Sequence, residues 1–191
     1  MKIFVKNTVD KILEELTTLS NYIEEDELQN ISDKLYETFK NDGKIFLAGA
    51  GRSGCVVRAF TNRLMHLGFT CYVVGDITTP PIGKGDILFL LSGSGKTESL
   101  VNMAKKAREY EANILTITLQ RDGVIAQMAD AAIVLPGTTR LQDKVQFISI
   151  QPIGSSFEQL SWLTCDAIIM LLKEKFQLNN EDLILRHANL E

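Results

Sequence analysis

Two segments rich in glycine and serine carry the residues best suited to binding an anion. GAGRSG occupies residues 49–54 and SGSGKT occupies residues 92–97, and each segment lies between a short apolar run and a helical pattern. Hydroxyls and backbone N–H groups at a helix N-terminus can hold a phosphate through charge-assisted hydrogen bonds of roughly 1.5–3 kcal/mol each. The phosphate or substrate ligands predicted from the two segments are Gly51, Arg52, Ser53, Ser92, Ser94 and Thr97.

Both segments also resemble nucleotide-binding motifs. GAGRSG satisfies the G-x-G-x-x-G pattern of dinucleotide-binding proteins, and Asp76 follows the next apolar run, where a ribose-binding acid is expected. This pattern is weak by itself, because any strand that turns tightly into a helix beside an anion needs glycines. GKT at 95–97 is typical of the end of a Walker P-loop, but that motif requires a glycine where the chain has Leu90. A nucleoside-triphosphatase is therefore excluded.

Each predicted ligand has a structural alternative. Serine and threonine often do no more than cap helices, and Arg52 has the alternative of a solvated surface side chain. Four hydroxyls in two such loops favour a ligand over capping alone. Thr78, in the link that follows the second apolar run, is a candidate for contact with sugar hydroxyls, although a rigid turn explains it equally well.

The elements that must position these residues alternate between strand and helix patterns. Short apolar runs rich in β-branched and aromatic residues predict five strands, separated mostly by segments with helical periodicity. This alternation predicts an α/β three-layer sandwich of flavodoxin-like or Rossmann-like type, with a five-stranded parallel sheet flanked by helices. The strands are KIFLAG, TCYVVGD, DILFLLS, NILTITL and AAIVLP, and the helical patterns cover residues 53–67, 97–109, 122–129 and about 155–176.

The chain is expected to form one domain over residues 1–191, with three parts. Amphipathic helices form an N-terminal extension at 1–42, the α/β core covers 43–177, and a short C-terminal helix or tail covers 178–191. The link around TTPPIGKG is too short and too rich in proline and glycine to be a helix. The segment GTTRLQDKVQFISIQPIGSS is a long polar loop that we expect to border the site.

Composition excludes several classes of partner. With 191 residues, a net charge of -4 and no clusters of basic residues, the chain has no general electrostatic reason to bind nucleic acid or an anionic membrane. It shows neither a signal peptide nor an apolar stretch of the roughly 18–20 residues that a membrane span requires, so we expect a cytoplasmic protein. The three cysteines lack metal-site or disulfide spacing and lie in apolar runs, which predicts buried reduced thiols.

Few residues are suited to moving a proton. Glu158 lies at the start of the last long helix, directly after the long loop, and is the best candidate for a general base. Its alternative is a capping box, because Ser155 and Glu158 form the S-x-x-E pattern. His66 lies in RLMHLG and can shuttle protons, although a lone histidine in an apolar helix is often structural.

These residues resemble those of the sugar isomerase (SIS) domain family. That family has a serine in the first strand-to-helix loop and S-x-S-x-x-T in the second, here Ser53 and the residues Ser92, Ser94 and Thr97. More narrowly, the chain is similar to the 6-phospho-3-hexuloisomerases within that family. The segments that carry this similarity are GAGRSG, RLMHLGF, VVGDITTP, LLSGSGKTE, QPIGSSFEQ and RHANLE.

The resemblance implies a cofactor-free and metal-free isomerase acting on a sugar phosphate. The expected reaction interconverts D-arabino-3-hexulose 6-phosphate and D-fructose 6-phosphate through a cis-enediolate. The resemblance assigns the base to Glu158, favours a catalytic His66, and makes His187 a candidate substrate contact that reaches a neighbouring site. It further implies a homotetramer with sites near subunit boundaries, and a place beside 3-hexulose-6-phosphate synthase in formaldehyde fixation by the ribulose monophosphate route.

One departure and two alternatives remain. Lys96 stands where similar sequences commonly carry an acid, which affects substrate preference only if its side chain points at the ligand. A regulatory domain of the same family would keep the serine loops as a sugar-phosphate sensor without a working base, whereas this chain has Glu158 and His66. An isomerase of another sugar phosphate, such as arabinose 5-phosphate, would share the same features.

Overall fold

A computed structural model describes residues 5–137 and 149–189. Within these ranges the chain forms helices and strands close to the predicted positions. The strands are β1 (Ile45–Gly49), β2 (Cys71–Val73), β3 (Ile87–Leu91), β4 (Asn113–Thr118) and β5 (Ala131–Val134). The helices are α1 (Val5–Ser20), α2 (Glu25–Lys40), α3 (Arg52–Leu67), α4 (Glu98–Glu109), α5 (Val124–Met128), α6 (Ser155–Lys175) and α7 (Asn180–Ile184).

The five strands form one parallel sheet in the order β2-β1-β3-β4-β5. This confirms the predicted parallel α/β sandwich, and the order is the flavodoxin-like one. Gly49 at the end of β1 pairs with Leu91 at the end of β3, so GAGRSG and SGSGKT leave the sheet side by side. The chain order reverses between β1 and β3, and ligands of open α/β sheets bind outside the carboxyl ends of strands at such a point.

Alternating side chains of the strands build a core on each face of the sheet. On one face, Leu47, Phe89 and Ile117 are fully buried in a cluster that includes residues of α2, α3 and α6. On the other face, Leu90 and Ile114 belong to a cluster that includes residues of α4 and α5. Because both faces are covered, the strands read as nearly continuous apolar runs, which is why they could be located in the sequence.

Two expectations about the remaining chain have different outcomes. No helix occurs between β2 and β3, as the proline and glycine content predicted. The prediction that all three cysteines are buried was wrong. Cys165 is buried and Cys71 is half-buried, but Cys55 is exposed in the first turn of α3. An apolar neighbourhood in sequence does not bury a side chain on the outward face of a helix. Among the helices in the described ranges, none is long and apolar enough to cross a membrane.

Candidate active site

The turn from β1 into α3 brings the backbone into an open position at the sheet edge. Gly49 and Gly54 pack against each other so tightly that a Cβ on Gly54 would lie 2.8 Å from the Gly49 carbonyl oxygen. Gly51 has φ 58° and ψ −130°, a conformation that favours glycine, and a Cβ built on it would meet nothing within 4 Å. The space beside Gly51 therefore remains accessible to a ligand at the N-terminus of α3.

The second turn, residues 92–97, gathers hydroxyls at the N-terminus of α4. Ser92 is buried, and its Oγ lies 3.5 Å from the Oγ1 of Thr97. Ser94 Oγ accepts a hydrogen bond of 3.2 Å from the backbone N–H of Lys96. Gly95 has φ 62°, which lets the chain turn back toward the helix. Hydroxyls and main-chain N–H groups at the start of a helix suit an anion such as a phosphate.

Helix capping does not explain these hydroxyls. Thr97 is the N-cap of α4, but its side chain makes no capping hydrogen bond. Gly51 is the N-cap of α3, which places Ser53 inside the helix, where it cannot act as the N-cap. Within the described residues, Ser53 has no hydrogen-bond partner for its side chain. The four hydroxyls among the predicted ligands, on Ser53, Ser92, Ser94 and Thr97, are thus not used to cap the helices.

Glu158 contacts the first turn directly. Its Oε2 accepts a hydrogen bond from Nε of Arg52, and the two charges form a salt bridge that connects α6 to the N-terminus of α3. The Glu158 side chain is only 15% exposed, whereas that of Arg52 is 70% exposed. This hydrogen bond and the carboxylate charge raise the pKa of the Arg52 guanidinium above its ordinary value. Arg52 is therefore not a free surface cation.

The capping-box interpretation of Glu158 was wrong. The N-cap of α6 is Gly154, in a left-handed conformation, so Ser155 is already the first helical residue. A capping box needs the serine at the N-cap and the glutamate three residues later, and the helix begins one residue too early for that. The carboxylate is thus committed to Arg52 and not to the helix backbone.

Two further polar side chains lie near Glu158: Ser156, which was not identified from the sequence, and Gln159, which the sequence offered as a sugar contact no better supported than Thr78. Ser156 Oγ and Gln159 Oε1 are buried and have no hydrogen-bond partner in the described part of the chain. Gln159, Glu158 and Arg52 also line a groove of about 560 Å³ between α1, α3 and α6. Buried polar atoms are normally paired, and of these two residues Gln159 is the one that lines the groove. Their burial depends on how α6 packs, which the motif GSSFEQ does not reveal.

The two histidines lie at the opposite end of α3. His66 is 3% exposed, and its ring stacks on that of exposed His187 with 4.3 Å between centroids. Burial lowers the pKa of His66, and the nearby His187 and Arg63 lower it further, so its imidazole is neutral near pH 7. His66 follows Arg52 by fourteen positions along α3, which is about 21 Å at 1.5 Å per residue. Within one chain, the histidine pair is therefore remote from Glu158.

The link after β2 and the long loop after β5 contain the remaining predicted contacts. Thr78 is exposed in the link after β2, and neighbouring Thr79 donates to the carbonyls of Val73 and Asp76, as a rigid turn requires. Asp76 forms an ion pair with Arg58. The carboxylate that would bind the ribose of a dinucleotide is therefore already paired. The middle of the long loop, residues 138–148, lies outside the described residues. Thr78 as a sugar contact and that loop as a border of the site remain predictions.

Comparison with known proteins assigns the family. The model of the SIS domain matches residues 38–152. The chain belongs to the SIS domain family. This SIS protein is 40% identical over 183 residues to a 3-hexulose-6-phosphate isomerase from Bacillus subtilis, with 96% of this chain and 97% of the relative covered. It is 38% identical over 185 residues to a protein of the same name from Methanocaldococcus jannaschii, with 93% and 98% covered.

A solved structure agrees in fold. A crystal structure of a hypothetical protein from Methanococcus jannaschii, with an inferred function of 3-hexulose-6-phosphate isomerase, superposes with a TM-score of 0.80. That protein is 36% identical, and the match covers 97% of this SIS chain and 99% of the other. Both serine turns fall inside the matched SIS domain, but Glu158 and His187 lie beyond residue 152. The roles of Glu158 and His187 therefore remain predictions.

Proposed function

We propose that this sugar-phosphate isomerase interconverts D-arabino-3-hexulose 6-phosphate and D-fructose 6-phosphate. Relatives that bear the name 3-hexulose-6-phosphate isomerase align with nearly the whole chain, which supports this substrate over other sugar phosphates. The observation that carries the proposal is the contact of Glu158 with Arg52. It brings a largely buried carboxylate to the turn that a phosphorylated sugar is expected to contact.

The phosphate is proposed to bind between the turns that follow β1 and β3. Ser92, Ser94 and Thr97 donate hydroxyl hydrogens, Ser53 closes the other side, and the N-termini of α3 and α4 add main-chain N–H groups. Gly51 leaves room for the ligand, because no side chain occupies that position. Arg52 is suited to meet an oxygen of the phosphate or of the enediolate with its planar guanidinium. No metal or cofactor is needed for this binding.

Glu158 is proposed as the base. Moving the ketone from C3 to C2 requires the C2 proton to leave, which gives a cis-enediolate between C2 and C3. The same carboxylate then returns the proton to C3, while the hydroxyl hydrogen of O2 is transferred to O3. One carboxylate on one face of the enediolate suffices for both transfers, and general base catalysis of this kind typically contributes roughly 10²- to 10⁴-fold.

The histidine pair is proposed to act from a second copy of the chain. His66 is a neutral imidazole that can both donate and accept a proton, which suits ring opening, but it lies about 21 Å along α3 from Arg52. Leu13 of α1 and Trp162 and Leu163 of α6 are about half exposed, which provides an apolar face for self-association. We propose a homotetramer in which His66 or His187 of one copy approaches Glu158 of another.

Mixing two inactive variants tests this arrangement. If Glu158→Gln and His66→Asn lie in sites shared between copies, random assembly of the two chains restores about a quarter of the sites, because each site draws the two residues from different copies. We expect each variant alone to be nearly inactive and the co-expressed mixture to regain activity. A monomer by light scattering, or a mixture no more active than its more active parent, would contradict the shared site.

The substrate is tested by a coupled assay. Wild-type protein supplied with 3-hexulose 6-phosphate is expected to yield fructose 6-phosphate, without added metal or nicotinamide cofactor. Arabinose 5-phosphate and sedoheptulose 7-phosphate serve as control substrates, and turnover of either in preference to the hexulose would identify an isomerase of another sugar phosphate. Tight binding of fructose 6-phosphate with no turnover of any of the three would instead identify a sensor.

The proposed reaction suggests a metabolic partner. A 3-hexulose 6-phosphate is the product of joining formaldehyde to a pentulose phosphate, so the enzyme that must supply the substrate is 3-hexulose-6-phosphate synthase. We propose functional coupling to that enzyme in formaldehyde fixation by the ribulose monophosphate route. The isomerisation is reversible, and the same pair of enzymes run backwards would make pentose phosphate.

A further inference from the structure

The phosphate-binding turn does not hold its shape alone. Residues 92–97 lie against the segment that follows β4, which comprises the loop at 119–123 and the start of α5, and that segment donates hydrogen bonds to the turn. Leu119 N–H donates to the Gly93 carbonyl at 3.1 Å, and Ile125 N–H donates to the Gly95 carbonyl at 3.1 Å. These hydrogen bonds from the segment after β4 therefore help to fix the conformation of residues 92–97.

Thr118 lies at the junction of these two loops. It is the last residue of β4 and is fully buried. Its Oγ1 donates to the carbonyl of Gly93 at 3.4 Å and accepts from the N–H of Gln120 at 3.2 Å. One hydroxyl thus connects the backbones of both loops.

Close packing around the same hydroxyl leaves little room for the turn to shift. A Cβ on Gly95 would lie 3.4 Å from Thr118 Oγ1 and 3.3 Å from the Cα of Gly123. Ser94 lies between Gly93 and Gly95, which are both in this junction, so a displacement of either moves the Ser94 hydroxyl.

We propose that Thr118 is a positioning residue for phosphate recognition. It touches no substrate; it fixes the Gly93 carbonyl, and through it the direction in which residues 92–97 present their donors. The inference rests on the proposed function in so far as that turn binds the phosphate. Loss of the hydroxyl removes the bond to the Gly93 carbonyl and leaves the part-buried Gln120 N–H without its partner, so the loop is expected to rearrange.

Thr116 supplies a matched control on the same strand. It is also fully buried, two residues before Thr118, and its Oγ1 donates to the Leu90 carbonyl at 3.0 Å. That bond joins β4 to β3 inside the sheet and does not reach the phosphate turn. Thr116→Val and Thr118→Val therefore remove the same group from equally buried positions, and only one of them adjoins the turn.

The test measures affinity and turnover separately in full-length variants. Thr118→Val is expected to raise the Kd for fructose 6-phosphate and the KM for the hexulose phosphate on the order of tenfold, with kcat within about twofold. Thr118→Ser retains the hydroxyl and is expected to restore both constants. Thr116→Val is expected to lower Tm comparably to Thr118→Val and to leave Kd and KM unchanged.

A second variant covers the case in which Thr118→Val does not fold. A Cβ on Gly123 would lie 3.4 Å from the Cα of Gly95 and 3.0 Å from the Gln120 carbonyl oxygen, so Gly123→Ala pushes on the same junction. It is expected to raise Kd in the same way. Unchanged Kd in the folded variants, or an equal rise in Thr116→Val, would overturn the proposal. Because Kd for fructose 6-phosphate is measured without turnover, a wild-type protein that binds but does not isomerise refutes the reaction and not the role of Thr118.

Discussion

Glu158→Gln is expected to lower kcat by about 10²- to 10⁴-fold while changing the Kd for fructose 6-phosphate by less than about threefold. Glutamine has the shape of glutamate, and its amide oxygen can still accept the hydrogen bond from Arg52 that the carboxylate accepts now. An amide cannot take a proton from carbon. The steady-state kcat and an independent binding measurement separate the two effects.

Glu174→Gln is the control for that variant. Glu174 lies on the same helix α6, sixteen residues further along and exposed, so its substitution removes the same charge far from the turns. We expect wild-type kcat for it. Exchange of the C2 hydrogen with solvent adds a direct readout, since a chain without its base should not catalyse that exchange. Near wild-type turnover by Glu158→Gln would reject the assignment of the base.

Ser94→Ala is expected to weaken binding of fructose 6-phosphate by about 10- to 100-fold. A hydrogen bond to a charged phosphate is worth roughly 1.5–3 kcal/mol, which corresponds to that range. The same change removes the acceptor for the Lys96 N–H, so the turn also loses an internal hydrogen bond. Isothermal titration with fructose 6-phosphate measures the loss.

Phosphate recognition is separated from sugar recognition by the choice of ligand. Unphosphorylated fructose has no phosphate for the turn to bind. Its affinity should therefore be the same for the wild type and for Ser94→Ala. Ser99→Ala, an exposed serine in the first turn of α4, is expected to bind as the wild type does. Equal losses for phosphorylated and free sugar would mean that residues 92–97 do not hold the phosphate.

Local sequence patterns were sufficient to predict the elements of the fold. The apolar runs of β1, β3 and β4 are buried on both faces, so they read as unbroken hydrophobic segments with glycine or aspartate at their ends. The long helices have helical periodicity because only one side of each packs against the rest of the domain. Both serine turns were located because each follows a strand and precedes a helix, a sequence of elements that is visible locally.

Local patterns did not determine the residue at which a helix starts or the face of a helix that is exposed. The S-x-x-E spacing left a capping box open as the alternative role of Glu158, but α6 begins at Ser155 after the left-handed Gly154, and the carboxylate contacts Arg52. Cys55 lies in an apolar stretch but on an exposed face of α3. Helix starts and helix faces are set by packing as much as by composition, so spacing alone did not determine them.

The sequence by itself predicted the parallel α/β sheet and the two turns of glycine and serine at its edge. The tertiary structure decided which residues meet there. Arg52 and Glu158 are 106 positions apart and meet because α6 packs against α3. Thr118 reaches Gly93 because the strand order places β4 beside β3. Contacts of this kind arise from strand order and helix packing, and the local periodicity of a chain carries no information about either.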